Sequence, residues 1–344
     1  MKELLPTLSS WVSTNKRFAV ATVIKTWGSS PRPVGSTMLI SEDMEMAGSV
    51  SGGCVEGAVV REAMALMESG ESKRIAYGVT DEDAWAVGLS CGGSIQVFVE
   101  PFLAFDERKE EKAIWGELGK RLDNDQSAIL ISKIADGVPH HSLVLPDGSL
   151  LGHPASENLL AEAKSAFQER KHKLVEEGEG TYFAQVFPRR SQMLIIGAAH
   201  ITVDLVAMAQ NFDFETIVID PRGAFSNKTQ FPTPPDKIYE KYPAEVLPDY
   251  ELDPYTFAVV LSHDPKIDDN ALHILLKSDA AYIGALGSRK THAKRTARLT
   301  EAGFSEEEIG RIHAPIGMDI KAKTPKEIAL SIMGEIIRAK NEFL

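Results

Sequence analysis

Cysteine is nearly absent from this chain: Cys54 and Cys91 are the only two in 344 residues. That scarcity excludes a disulfide framework and fits a chain kept in a reducing compartment. Long apolar runs are absent as well. No stretch approaches the ~20 residues needed to span a bilayer, and Met1-Lys2-Glu3-Leu4-Leu5-Pro6 lacks the apolar core of a signal peptide, so the expectation is a cytoplasmic protein without a membrane partner. Positive charge is in deficit, with 37 basic against 49 acidic residues and a net charge of -12. Such a chain repels phosphate backbones at long range, which excludes nucleic acid as the main ligand. No internal repeat and no low-complexity tract is legible. What remains is an ordinary globular composition, 43% hydrophobic and 25% charged, over a length that implies about two or three domains.

From Arg17 to Pro101 short strands alternate with glycine-rich turns around one helix. Phe18 to Lys25 and Thr37 to Ile40 read as strands, and Val55 to Met67 reads as a helix because Val55, Val59, Ala63 and Leu66 recur at helical spacing. After Pro101 the composition shifts. Residues 106–125 form a charge-dense helical pattern, and strands at Ala128 to Ile134, Ser142 to Leu145 and Tyr182 to Phe187 surround a helix near Ala155 to Arg170. His140-His141 reads as a solvated turn. A further unit opens near Ser191 with the apolar run Met193-Leu194-Ile195-Ile196, followed by strands at Thr216 to Ile219, Phe257 to Leu261 and Ala281 to Ala285, and a closing helix from Pro325 to about Lys340. Strands alternating with helices predict right-handed crossovers and a doubly wound parallel sheet. The fold expected is thus α/β, with an N-terminal α+β domain carrying glycine-rich loops over 1–105, an α+β connecting region over 106–190 and a Rossmann-like domain over 191–344.

In that last unit Gly197-Ala198-Ala199-His200-Ile201-Thr202 lies where a dinucleotide-binding turn belongs, and Asp220 ends the next strand, at the spacing of an acid that bonds a ribose hydroxyl. Only the first glycine of the motif is present. The Ala199 methyl pushes backbone away from a pyrophosphate, so two readings stay open: a nucleotide-like ligand, or a sheet that keeps the fold without one. Ser262-His263-Asp264 and Gly287-Ser288-Arg289 also follow strands. Ser288 is placed to cap a helix while Arg289 and the helix N-terminus favour an anion. His263 and Asp264 read either as a loop hydrogen-bond pair or as part of a binding site.

Three glycine-rich segments crowd the first domain: Gly28 to Gly35, Gly48 to Glu56 and Gly88 to Gly93. Gly52-Gly53-Cys54 precedes a helix, so backbone amides and a helix N-terminus would face whatever binds there and would lower the pKa of the Cys54 thiol. Glu56 is placed either to cap that helix or to act as an acid or base. Arg32, between two prolines, mounts a planar donor fork suited to phosphate or carboxylate. Both cysteines abut a glycine pair. They read as small buried residues, or as a pair of thiols that ligate a soft metal or carry transferable sulfur.

These segments resemble the xanthine dehydrogenase accessory factors of the XdhC/CoxI type. The resemblance rests on Gly28-Ser29-Ser30-Pro31-Arg32, Ser51 to Glu56 and Cys91-Gly92-Gly93 in the first domain. In the last it rests on Ile195 to Ile201, Asp220-Pro221-Arg222, Ser262 to Pro265 with Asp268, Gly284 to Arg289, Pro315-Ile316-Gly317 and Thr324 to Ala329. The resemblance implies a homodimeric molybdenum cofactor chaperone. It would bind molybdopterin carrying molybdenum, hold it while a cysteine desulfurase supplies the terminal sulfido ligand, and pass it to a xanthine dehydrogenase-type apoenzyme of purine catabolism. The residues expected to act are Cys54, Cys91 and Glu56 in chemistry, with Cys54 and Cys91 as metal ligands. Ser30, Arg32, Gly52, Gly53, Gly92, Gly93, Gly197, His200, Asp220, Arg222, His263, Asp264, Ser288 and Arg289 are expected to bind cofactor. The competing reading is an NAD(P)-dependent oxidoreductase using the sheet around Gly197 and Asp220, with His263 as proton donor.

Overall fold

A computed structural model describes residues 2–28, 30–53, 55–78, 93–102, 109–223 and 231–341. The chain forms two compact units, Met1–Arg189 and Arg190–Leu344. In the first, strands β1 (Phe18–Trp27), β2 (Thr37–Ser41), β3 (Met46–Gly48), β4 (Lys73–Tyr77) and β5 (Ser94–Pro101) make an antiparallel sheet of order β3-β2-β1-β5-β4. Side chains alternate across a strand, so Ala19, Ala21 and Val23 of β1 and Val97 and Val99 of β5 bury one face. Against them α2 (Glu56–Ser69) packs Val59, Ala63, Leu66 and Met67. Helix α1 (Leu5–Ser13) precedes the sheet and lies with the opposite face.

A second antiparallel sheet follows α3 (Lys109–Asp123) and contains β6 (Ala128–Lys133), β7 (His141–Val144), β8 (Leu150–Gly152), β9 (Lys173–Glu177) and β10 (Gly180–Phe187), with α4 (Glu157–Gln168) between β8 and β9. Its order is β8-β7-β6-β10-β9. Helix, three strands, helix, two strands therefore occurs twice, and the strand orders coincide when each strand of the second half replaces its counterpart in the first. Ala163 and Ala166 of α4 cover Ile129, Ile131, Ala184 and Val186 as α2 covers the first sheet.

The remaining faces of the two sheets pack on each other. Phe18, Val20, Leu39 and Phe102 meet Ala128, Leu130, Leu143 and Phe187, with Trp11 and Trp115 from the two leading helices. At the centre, Ile24 and Phe98 meet Ile134 and Phe183, one isoleucine and one phenylalanine from each half. The contacts are reciprocal. Gln185 on β10 donates to the Gly35 carbonyl in the β1–β2 turn at 3.0 Å, while Glu100, at the matching place on β5, faces His141 at the start of β7. Ser72, just before β4, bridges to Gly137 in the β6–β7 turn. His172, just before β9, packs so closely on Gly35 (φ +85°) that a Cβ there would lie 2.2 Å from its ring. The unit is a pseudo-twofold sandwich, a duplication that the residue string does not show.

His141 is a correction to the sequence reading: it is 2% exposed, not a solvated turn residue. Its Nδ1 lies 2.7 Å from Glu111 and its Nε2 3.0 Å from Glu100, the latter an ion pair without hydrogen-bond alignment. Burial pulls the imidazole pKa down, but the close charge of Glu100 and the hydrogen bond and charge of Glu111 outweigh it and raise the pKa to about 10.

The second unit is a six-stranded parallel sheet. Strands β11 (Gln192–Ile196), β12 (Glu215–Ile219), β13 (Lys237–Tyr239), β14 (Thr256–Val260), β15 (Tyr282–Ala285) and β16 (Ile312–His313) lie in the order β13-β12-β11-β14-β15-β16. Helices α5 (His200–Asn211) and α9 (Pro325–Asn341) cover one face through Leu205, Val206, Ile332 and Ile336. Helices α6 (Pro265–Leu275), α7 (Arg289–Glu301) and α8 (Glu306–Gly310) cover the other through Ile267, Leu272, Leu299 and Ile309. This is the doubly wound Rossmann-like sheet that the strand–helix alternation predicts. Among the described residues no helix is long and apolar enough to cross a membrane.

Removing His141 takes the shared cation from two buried carboxylates, leaving Glu111 only His153 at 3.5 Å, so His141→Ala is expected to cost about 3–5 kcal/mol in urea unfolding. The pKa in the fold exceeds that of the unfolded chain. The contribution of His141 is therefore complete below pH 6.5 and lost as pH rises to about 10. The difference in unfolding free energy between the wild-type protein and His141→Gln should shrink over that window; a difference independent of pH would refute the protonated assignment.

Candidate functional site

Described residues of the glycine-rich segments of the first unit lie at one end of its first sheet. Gly28 (φ +71°) follows β1, whose last residue Trp27 lies opposite Ser94, next to Gly93; Gly35 precedes β2; and Gly48 closes β3 before the loop into α2. Glu56 organises this end. Its carboxylate accepts from the Ser51, Gly52 and Gly53 amides at 2.9, 3.0 and 2.9 Å and from the Ser49 hydroxyl at 2.7 Å, with the Ser51 hydroxyl as a further donor. Burial pushes the Glu56 pKa up, but the hydroxyls of Ser51 and Ser49 prevail and hold it at about 2. At neutral pH Glu56 is an anion, and the Gly52 and Gly53 amides expected to face a ligand are bonded to it instead.

Ser30 also turns inward, donating to the Arg32 carbonyl at 2.8 Å. Pro31 packs on the second loop, its Cβ 3.5 Å from where a Cβ on Gly52 would stand. Arg32 is exposed, and its guanidinium has no partner among the described residues. The structure thus brings Ser30, Arg32, Gly52, Gly53, Glu56 and Gly93 to one sheet end. Cys54, Cys91 and Gly92 lie outside the described residues. Among those described, no group of three or more His, Cys, Asp or Glu is arranged to hold a metal ion.

In the second unit a polar belt crosses the carboxyl ends of the strands, where open α/β sheets place ligands. Asp220, fully buried after β12, accepts from the Ala198 amide at 2.8 Å and from Arg222 at its amide, Nε and a terminal nitrogen, at 2.9, 2.9 and 2.8 Å. Burial raises the Asp220 pKa, yet these bonds lower it overall. Arg222 continues to the Ser262 carbonyl at 3.2 Å. The Ser262 hydroxyl donates to Asp268, whose other oxygen lies 3.4 Å from Arg295. Gly197 (φ +109°) is required by the same crossing, because a Cβ there would lie 2.7 Å from the Ser262 backbone.

The acid that would bond a ribose is therefore occupied by protein donors. At the start of α5 Ala199 offers no side-chain cap, and Thr202 donates its hydroxyl to the Gly197 carbonyl at 2.6 Å. His200 and His263 are exposed, the latter at φ +61°. Asp264 caps α6 through the Lys266 amide, and Ser288 caps α7 through Thr291, with Arg289 exposed beside it. Arg295 was not among the sequence candidates. Its position within a charge-rich helix carries no motif, and only its burial, at 2% exposure, separates it from its solvated neighbours.

A family model described as the XdhC and CoxI family matches residues 11–78, and one described as the XdhC Rossmann domain matches residues 193–336. The chain belongs to the XdhC and CoxI family. It is 27% identical over 335 residues to a probable xanthine dehydrogenase subunit of Bacillus subtilis (strain 168), a match that spans 97% of this chain and 96% of that protein. It is also 27% identical over 331 residues to the molybdenum cofactor insertion chaperone PaoD of Escherichia coli (strain K12), spanning 93% of this chain and 83% of the chaperone. A crystal structure described as a xanthine dehydrogenase from Bacillus halodurans superposes with a TM-score of 0.62 at 27% identity, covering 98% of this chain and 96% of the other. These full-length relatives thus extend through residues 79–192, between the two family models.

Glu56→Ala removes the acceptor of three loop amides at once. Hydrogen exchange at residues 49–53 is expected to accelerate about tenfold or more, the worth of at least one net hydrogen bond, with Glu62→Ala as an unaffected control. Equal rates in the two variants would show that Glu56 does not hold the loop.

Proposed function

We propose that this chain is a molybdenum cofactor insertion chaperone serving a xanthine dehydrogenase-type apoenzyme, with the cofactor held at the glycine-rich end of the first sheet. The observation that carries this reading is the near full-length similarity to a protein named as such a chaperone. The site fits in part. Arg32 presents a planar donor fork with no partner among the described residues, suited to the terminal phosphate of a molybdopterin. The Gly52 and Gly53 amides are committed to Glu56, so the loop contributes shape rather than free donors. Gly93 sits beside the same sheet end. When bound, the cofactor supplies a molybdenum centre with soft sulfur ligation, the chemistry to which Cys54 and Cys91 are assigned in this proposal.

In this reading residues 1–105 handle the cofactor, 106–190 complete their sandwich, and 191–344 form the Rossmann-like domain. The chaperone is cytoplasmic and homodimeric, and it holds the cofactor while a cysteine desulfurase supplies the terminal sulfido ligand. An NAD(P)-dependent oxidoreductase is not favoured, since Asp220 is closed by Ala198 and Arg222 and no observation supplies a substitute acceptor.

Protein purified anaerobically from a host that makes the cofactor is expected to release a fluorescent oxidised pterin. Arg32→Ala should lower its recovery about tenfold, the loss of one charge-assisted phosphate contact. Cys54→Ala should retain pterin but fail to support sulfuration of the apoenzyme. No pterin from the wild-type protein would count against the chaperone reading, and saturable heat on titration with NAD or NADP would revive the oxidoreductase.

A further inference from the structure

We infer that the second unit carries an oxyanion site of phosphate type between the first turns of α6 and α7, built on the buried guanidinium of Arg295. The proposal does not depend on the cofactor-handling reading of the first unit.

Arg295 is 2% exposed. A guanidinium has five N–H donors in a fixed fork and accepts nothing. One terminal nitrogen reaches the Leu286 carbonyl at 3.0 Å and Asp268 at 3.4 Å; Nε and the other terminal nitrogen are buried without a hydrogen-bond partner among the described residues. Helical side chains lean toward their N-terminus, and Leu286 lies two residues ahead of the cap Ser288. The fork therefore points back under the loop that opens α7. His292, one turn earlier on the same face, also has a buried ring nitrogen, Nδ1, with no partner among the described residues. Two neighbouring side chains thus leave three buried nitrogens unmatched.

The surroundings favour negative charge as the missing partner. Helices α6 and α7, of 11 and 13 residues, both begin here, so two positive helix ends flank the fork. The nearby carboxylates do not fill the gap. Asp268 also takes the Ser262 hydroxyl, and burial raises its pKa despite Arg295. Asp269 is held in two bonds by Arg298 at 2.5 and 2.9 Å, and Asp264 is engaged in capping α6. The Gly287–Ser288 turn packs closely on α7, since a Cβ at Gly287 (φ +135°) would meet Thr291 at 2.9 Å. A tetrahedral oxyanion, free or at the end of a larger ligand, supplies acceptors in several directions at once.

Calorimetric titration of the full-length protein with inorganic phosphate, and separately with phenyl phosphate, at constant ionic strength tests the site. One saturable site per chain is expected for at least one of them, and their ratio separates a free ion from the phosphate end of a larger molecule. Arg295→Lys keeps the charge but removes the fork and should weaken binding about tenfold or more. Where that variant does not fold, His292→Ala should weaken binding about threefold, the loss of one ring contact, while Lys290→Ala on the exposed helix start should stay within about twofold. No saturable binding of either probe, equal loss in Lys290→Ala, or unchanged affinity in Arg295→Lys or, failing its folding, in His292→Ala would overturn the proposal.

Discussion

A glycine-rich loop carries few side chains with which to satisfy its own amides, and a buried amide without an acceptor is costly. Both units meet that constraint by setting a carboxylate where several loop donors converge. Glu56 gathers the amides of residues 51–53, Asp220 joins the Ala198 loop to Arg222, and Glu335 takes the Gly317 amide together with the Tyr282 hydroxyl. These carboxylates determine which groups remain to meet a ligand. In the first unit Arg32 is exposed and lies outside the network.

The same constraint marks where the sequence is legible. The parallel sheet was readable because Met193-Leu194-Ile195-Ile196 and Phe257 to Leu261 are buried on both faces and read as continuous apolar runs. The glycine-rich end was readable as a cluster, but the direction of its amides was not, since it depends on Glu56 folding back over its own loop. His141 defeated the reading because a dipeptide of histidines looks polar; its two counter-charges come from β5 and α3, more than 25 residues away in sequence.

Short strands were harder still. Edge strands β3, β8 and β13 span three residues each and β16 two, too few for an alternation to register. The duplication of the first unit was hidden for a related reason. Sheet positions constrain polarity and size rather than identity, so Phe98-Val99-Glu100-Pro101-Phe102 and Phe183-Ala184-Gln185-Val186-Phe187 share a pattern of apolar and polar positions while differing at three of five residues. In the second unit Asp220 sits at the expected spacing, and its bonds to Ala198 and Arg222 are what that spacing does not reveal.

Each half of the sandwich is the other's missing layer. A chain reduced to α1–β5 would expose Phe18, Val20, Leu39, Phe98 and Phe102 on one open sheet and would have to recruit a copy of itself to cover them. The two halves differ at the matching buried position: one carries Glu100 with its ionic partner, the other Gln185 bonded to a neutral carbonyl. One sheet end alone carries the Ser51, Gly52 and Gly53 amides bonded to Glu56, an arrangement that two identical half-chains would have had to repeat.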